Sequence, residues 1–180
     1  MPLDASSLIT TVGGASSNSF ATLAEAQSFH ELNFGSDAWF GTTGDNETSQ
    51  VRALVKAARR LNQENWLGSR VTSTQALSWP RDGVAKVDAV NNGFYSYGYC
   101  TVGEVYLTTE IPQQIKDAQC LLALAYLDGF SDGEGDEVSE YSESGGVSVK
   151  FRQTRPDGEL PAEVTRLISA LIQGPQLVRA

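Results

Sequence analysis

Between Pro112 and Gly129 the chain reads Pro-Gln-Gln-Ile-Lys-Asp-Ala-Gln-Cys-Leu-Leu-Ala-Leu-Ala-Tyr-Leu-Asp-Gly, and no other segment restricts the fold as strongly. Proline suits the first turn of a helix because the amide it lacks would have no partner there, and glycine suits the end. Ile115, Ala118, Leu121, Leu122, Ala125 and Tyr126 recur at helical spacing. The run Cys120 to Ala125 is apolar on nearly every side, so this helix is expected at the centre of the molecule with other elements packed around it.

Three further helices are expected to surround it. The first begins after Thr22, whose hydroxyl caps the helix while Glu25 completes a capping box, and Leu23, Ala26, Phe29 and Leu32 fall on one face. The second, over 48–65, carries Val51, Leu54, Val55, Ala58 and Leu61 on an apolar stripe. Arg52, Lys56, Arg59 and Arg60 recur on another face of it, four of the thirteen basic residues in the chain. A stripe of this kind is a solvated surface, a docking face for an acidic neighbour, or a track for phosphates. Pro161 opens a last helix over 162–173 with Val164, Leu167, Ile168, Leu171 and Ile172 apolar, and Gly174-Pro175 stops it. Trp39-Phe40, in the loop between the first two helices, is expected to pack by its aromatic rings. The fold class expected is mainly α, a small bundle of three core helices plus a C-terminal helix with a minor β element.

Outside the helices the chain divides into segments of distinct composition. Residues 1–18 are rich in Ser, Thr and Gly without helical periodicity and read as an extended N-terminal arm; 19–130 form the helical core domain. Residues 131–145 are an acidic Gly/Ser linker, and 146–180 hold a strand, the last helix and a short tail. The acids of the linker lack the spacing of a calcium loop. Val147, Val149 and Phe151 alternate with polar residues, and a lone strand of that length requires a partner, expected in a neighbouring subunit.

The block Trp66 to Val84 holds two of the three tryptophans. Trp66, Trp79, Pro80 and Arg81 read as a structural wedge that holds this loop against the helices, with Arg81-Asp82-Gly83 forming a turn. Farther on, Phe94-Tyr95-Ser96-Tyr97-Gly98-Tyr99 is an aromatic run without a lysine or arginine inside it. It suits local packing or a protein contact better than a platform for stacked bases, which works with nearby cations.

Composition narrows the functions. A chain of 180 residues with 41% hydrophobic residues fits one ordinary domain. It has no apolar run of membrane-spanning length and no secretory leader pattern, so a soluble chain without a membrane partner is expected. Two cysteines, Cys100 and Cys120, and a single histidine, His30, do not make a zinc site of the usual kind. His30 has no partner motif and reads as a surface or boundary residue; no nucleophile elbow, phosphate loop or zinc-protease motif is present. No catalytic residue, cofactor or metal is therefore expected, and a two-carboxylate hydrolase remains the minority alternative. The net charge of −9 disfavours free-standing nucleic-acid binding and suits a wall past which DNA slides.

The helix ending near Trp66-Leu67-Gly68-Ser69-Arg70, then Gln75-Ala76-Leu77-Ser78-Trp79-Pro80-Arg81-Asp82-Gly83-Val84, then the Ile111-Pro112 helix start, resembles the head-tail connector or adaptor proteins of tailed phages. The same group also bears the label of DnaT-like single-stranded DNA-binding proteins. Ser19 to Ala26 and the C-terminal Gly174-Pro175 extend the resemblance over most of the chain. It implies a structural virion protein, made in the host cytoplasm and placed in the neck between capsid and tail. Such a protein docks on the portal protein as a ring of identical subunits, a dodecamer in the family, and meets tail, stopper or terminator proteins while DNA passes through the lumen. The basic stripe would then be a subunit interface. The alternative is a single-stranded DNA-binding protein, with Arg52, Lys56, Arg59 and Arg60 as the backbone track and Tyr95, Tyr97 or Tyr99 stacking bases.

Overall fold

A computed structural model describes residues 3–41, 46–86, 104–132, 141–143, 147–149 and 159–173. Among the described residues, five helices carry the fold: α1 (Leu23–Leu32), α2 (Asp37–Phe40), α3 (Asn46–Leu61), α4 (Gln113–Leu127) and α5 (Ala162–Ile168). Two small antiparallel ladders accompany them, β1 (Ser69–Arg70) with β2 (Arg81–Asp82) and β3 (Tyr141–Glu143) with β4 (Val147–Val149). The mainly helical class with a minor β element holds.

α4 is central, as its all-round apolar sequence requires. It packs against α3 most extensively, and also against α5, α1 and α2. Ile115, Ala118, Cys120, Leu122 and Ala123 are buried, and Leu121, Leu124, Tyr126 and Leu127 lie partly buried against the same core. From α3 come Val51, Ala53, Leu54, Ala57, Ala58 and Leu61. The capping box at α1 forms as expected: the Glu25 amide donates to Thr22 Oγ1 at 3.2 Å and the Thr22 amide to Glu25 Oε2 at 2.7 Å. Glu25 Oε1 also accepts from Lys116 Nζ at 2.6 Å, tying α1 to α4.

The polar residue directly before α4's run Cys120 to Ala125 binds three segments together. Gln119 is fully buried. Its Oε1 accepts from the amides of Phe20 and Ala21 at 2.9 and 3.0 Å, and its Nε2 donates to Ser19 Oγ at 2.7 Å and to the Leu54 carbonyl at 2.9 Å. Every hydrogen-bonding position of the amide is thus filled, as a polar group so deeply buried demands.

Several expectations change. Residues 3–18 do not stand off as an arm. A 3-10 turn at Ala5–Ser7 is held to α3 by the Ala5 amide donating to Glu47 Oε1 at 2.7 Å and by Thr48 Oγ1 donating to the Leu3 carbonyl at 2.9 Å. Asn18 closes the segment on itself through Ile9 and Ser7. The reason is that a Ser/Thr/Gly stretch carries many backbone groups and short polar side chains, which serve a packed loop as well as a free one. α3 is also displaced from its expected bounds, beginning at Asn46 and ending at Leu61.

Helical spacing puts Leu32 on the apolar face of α1, but it is 88% exposed, because α1 ends there and the chain turns into α2. His30 is buried instead of lying at the surface: its ring stacks on Trp39 at 4.3 Å and its Nδ1 meets Ser36 Oγ at 3.2 Å. Of the Trp39-Phe40 pair, Trp39 is buried and Phe40 about half exposed.

The strand at Val147–Val149 pairs within its own chain, with Tyr141–Glu143, a segment read as linker. A hairpin satisfies its backbone groups at far lower entropic cost than an intersubunit pairing. The C-terminal helix likewise belongs to its own subunit. α5 packs on α4, the Leu67 amide donates to the Leu171 carbonyl at 2.9 Å, and the Gln173 amide to the Asn65 carbonyl at 2.7 Å.

Candidate nucleic-acid interface

The positions Arg52, Lys56 and Arg59 fall along one line of α3 at successive turns, spanning about 10 Å at 1.5 Å of rise per residue. All three are exposed, because the opposite face of the helix carries the core residues. Arg52 and Arg59 have no ion-pair partner among the described residues. Arg60, one step round the helix, differs: its side chain is only 14% exposed, and it pairs with Glu64 one turn on and, through Nε, with Asp132 Oδ1 at 3.7 Å. The sequence grouped these four cations as one stripe; the structure divides them into three at the surface and one held inward.

Lys56 is placed by its neighbour on α4. Its Nζ sits 3.9 Å from the centroid of the Tyr126 ring, a cation–π contact, and 3.9 Å from Asp132 Oδ2. The Tyr126 hydroxyl donates to Asp132, with oxygen–oxygen distances of 2.7 and 2.6 Å to Oδ1 and Oδ2. Burial, and next the neighbouring Asp132 carboxylate, push the Tyr126 phenol well above its usual range, so it remains a proton donor throughout ordinary pH. Lys56, Arg59, Arg60, Gln63, Glu64 and Asp132 together line an open cleft of about 450 Å³. By sequence, Tyr126 belongs to the apolar face of α4 and Asp132 to the acidic linker. No spacing rule relates either of them to α3, so their place in this cleft was invisible before folding.

The tryptophan block is placed elsewhere. Trp66 and Trp79 are buried, with ring centroids 5.9 Å apart and edge to face, and Tyr106 meets the other side of Trp79 at 6.0 Å in the same geometry. Trp66 Nε1 donates to the Leu61 carbonyl at 3.0 Å, closing the end of α3. Pro80 is buried, and the Trp79–Pro80 peptide is cis. Arg81 spends its guanidinium on backbone carbonyls: Nε donates to Leu67 and Nη2 to Gly68, both at 2.6 Å, with longer contacts to Trp66 and Ser78. Gly68 itself takes φ +69°, and a Cβ there would run into the Asp82 carbonyl and the Val84 side chain. These residues organise the loop from inside and present no aromatic face to a ligand.

No group of three or more His, Cys, Asp or Glu side chains suited to a metal occurs among the described residues. Burial lowers the His30 pKa to about 4, only partly opposed by the Cys120 backbone, so the imidazole is neutral and enclosed. Burial raises the Cys120 thiol to about 12, far from a reactive thiolate. No described helix is long and apolar enough to cross a membrane. Tyr95, Tyr97 and Tyr99, weighed as stacking residues, lie outside the described residues, as does Cys100.

No curated protein and no solved structure matches this chain. A protein family does, over residues 7–179, under the description "Putative DnaT-like ssDNA binding protein"; that description does not speak of a head-tail connector. As the match runs through the helical core, the tryptophan block and the C-terminal helix alike, this chain belongs to the DnaT-like ssDNA-binding protein family.

Proposed function

We propose that this protein binds single-stranded DNA through the exposed face of α3, with Arg52, Lys56 and Arg59 on consecutive phosphates. The carrying observation is that these three cations are aligned and exposed, whereas Arg60 is held inward against Glu64 and Asp132. The family description supports the same reading. Contacts of this kind neutralise phosphates without reading bases, so binding is independent of sequence and sensitive to salt. With a net charge of −9 the long-range field opposes the approach of DNA, and affinity is expected in the micromolar range at low salt.

Fluorescence anisotropy of a labelled oligo-dT tests it. Three neutralised phosphates give a slope of log K against log salt of about −2. The double change Arg52→Glu and Arg59→Glu abolishes binding and leaves the melting temperature unchanged, since neither side chain has an ion-pair partner among the described residues. Absence of binding by the wild-type protein at low salt overturns the reading.

A second reading is the virion adaptor, in which copies assemble as a ring on a portal protein. One observation favours it: Leu32, Phe34 and Phe40 leave an exposed apolar corner where α1 turns into α2, on a strongly acidic chain. A corner of that kind suits a protein contact. Electron microscopy of the protein mixed with portal rings from the same source tests it: an added layer on the portal supports assembly, and bare portals oppose it.

A further inference from the structure

We propose that Tyr126, Lys56 and Arg60 form an oxyanion cradle for a backbone phosphate of single-stranded DNA, and that Asp132 occupies this cradle as an internal stand-in for the phosphate. The DNA part of the proposal rests on the function proposed above; the cradle itself rests on geometry.

Three donors from two helices converge on one carboxylate. The phenol of Tyr126 is at hydrogen-bond distance from both oxygens of Asp132, at 2.6 and 2.7 Å, whereas Lys56 Nζ and Arg60 Nε stand off at 3.9 and 3.7 Å. The carboxylate is therefore too small for its site. It meets the neutral donor well and the two cations only at ion-pair distance, outside hydrogen-bond range. A phosphodiester sets its two non-bridging oxygens on a tetrahedral phosphorus, farther apart than the oxygens of a carboxylate, so one meets the phenol while the other reaches the two cations.

The cations are already in position to receive it. Lys56 is steered by the Tyr126 ring and Arg60 by Glu64. The adjoining cleft of about 450 Å³, with Arg59 and Gln63 on its wall, leaves room for the rest of a nucleotide backbone. Asp132 lies beyond the end of α4, after Gly129 and Phe130, with a side chain 32% exposed. It can leave the cradle without disturbing a helix. The carboxylate thus lowers the affinity of the site for external anions and screens Lys56 and Arg60 from non-specific ones.

The test compares the full-length protein with Asp132→Asn, Asp132→Ala and Lys56→Ala, using two probes. Inorganic pyrophosphate is titrated while the melting temperature is followed, and oligo-dT is titrated by anisotropy. Loss of one internal competitor held by two long ion pairs, at 3.7 and 3.9 Å, predicts about fivefold tighter binding of both probes by the Asp132 variants. Adding Lys56→Ala to Asp132→Asn removes that gain.

Equal pyrophosphate titrations for wild type and the Asp132 variants overturn the cradle, whether or not DNA binds; wild-type DNA binding then leaves the α3 reading intact. A pyrophosphate gain without DNA binding by any of the proteins supports the cradle while the DNA reading falls. Should the Asp132 variants fail to fold, Lys56→Ala alone decides. Its site is exposed, the wild-type protein is expected to show a weak pyrophosphate response that this variant lacks, and equal responses overturn the proposal.

Discussion

Replacing Gln119 by Leu removes a polar hub while nearly conserving side-chain volume, so the effect isolates hydrogen bonding from cavity formation. The amide oxygen of Gln119 is the acceptor for the amides of Phe20 and Ala21, and both residues are buried. Leucine leaves those two amides without a partner, at about 1 to 3 kcal/mol each. Ser19 Oγ retains its bond to the Ala21 carbonyl and so adds little. A loss of about 4 kcal/mol is expected, a large part of the stability of an ordinary domain. Urea unfolding followed by tryptophan fluorescence reads it: with m of about 2 kcal/mol/M, the midpoint falls by about 2 M while m stays constant. Amide exchange at Phe20 and Ala21 should accelerate alongside. A loss below about 1 kcal/mol would refute the reasoning, because the two amides would then have found water or other partners that this packing does not offer.

Trp79→Ala empties a site 1% exposed between Trp66 and Tyr106 and should cost about 3 to 5 kcal/mol by chemical denaturation; a variant equally stable but unable to assemble would mean that Trp79 faces a partner. His30, the single histidine, gives an unambiguous imidazole signal by NMR. Its folded pKa of about 4 lies below the unfolded 6.5, so below 6.5 the unfolded chain binds the extra proton. Stability from this group is complete above 6.5 and declines as pH falls toward 4, by about 3 kcal/mol in full. His30→Phe should flatten that part of the profile, and an imidazole titrating near 6.5 in the folded protein would contradict it. Arg60→Glu, unlike reversal at Arg52 and Arg59, places a third carboxylate beside Glu64 and Asp132, so thermal melting should separate the two kinds of variant.

The elements most legible before folding were those whose signals are local. The Thr22–Glu25 box, the Pro112 start, the apolar face of α3 and the apolar circumference of α4 all appear where their patterns place them, because capping and helical periodicity act over a few residues. Leu32 and His30 were misplaced for the opposite reason. The periodicity of α1 says which residues share a face; it is silent on where the chain turns away, and the turn into α2 leaves Leu32 outside and stacks His30 on Trp39. The strand at Val147–Val149 was legible as a strand, while its partner was hidden among residues whose composition resembles a linker.

By itself, the sequence determined a mainly helical domain with α4 at its centre, a buried tryptophan loop and a row of cations along α3. Each follows from side-chain type at short spacing, which constrains local conformation and burial directly. Only the tertiary structure decided that Gln119 joins three segments, that Arg81 faces backbone carbonyls, and that Asp132 and Tyr126 meet Lys56 and Arg60. Gln119 and Tyr126 are far in the chain from their partners on α3, and what brings them together is the packing of α4 against α3, while Arg81 meets carbonyls of its own loop once that loop closes; no local pattern encodes either relation.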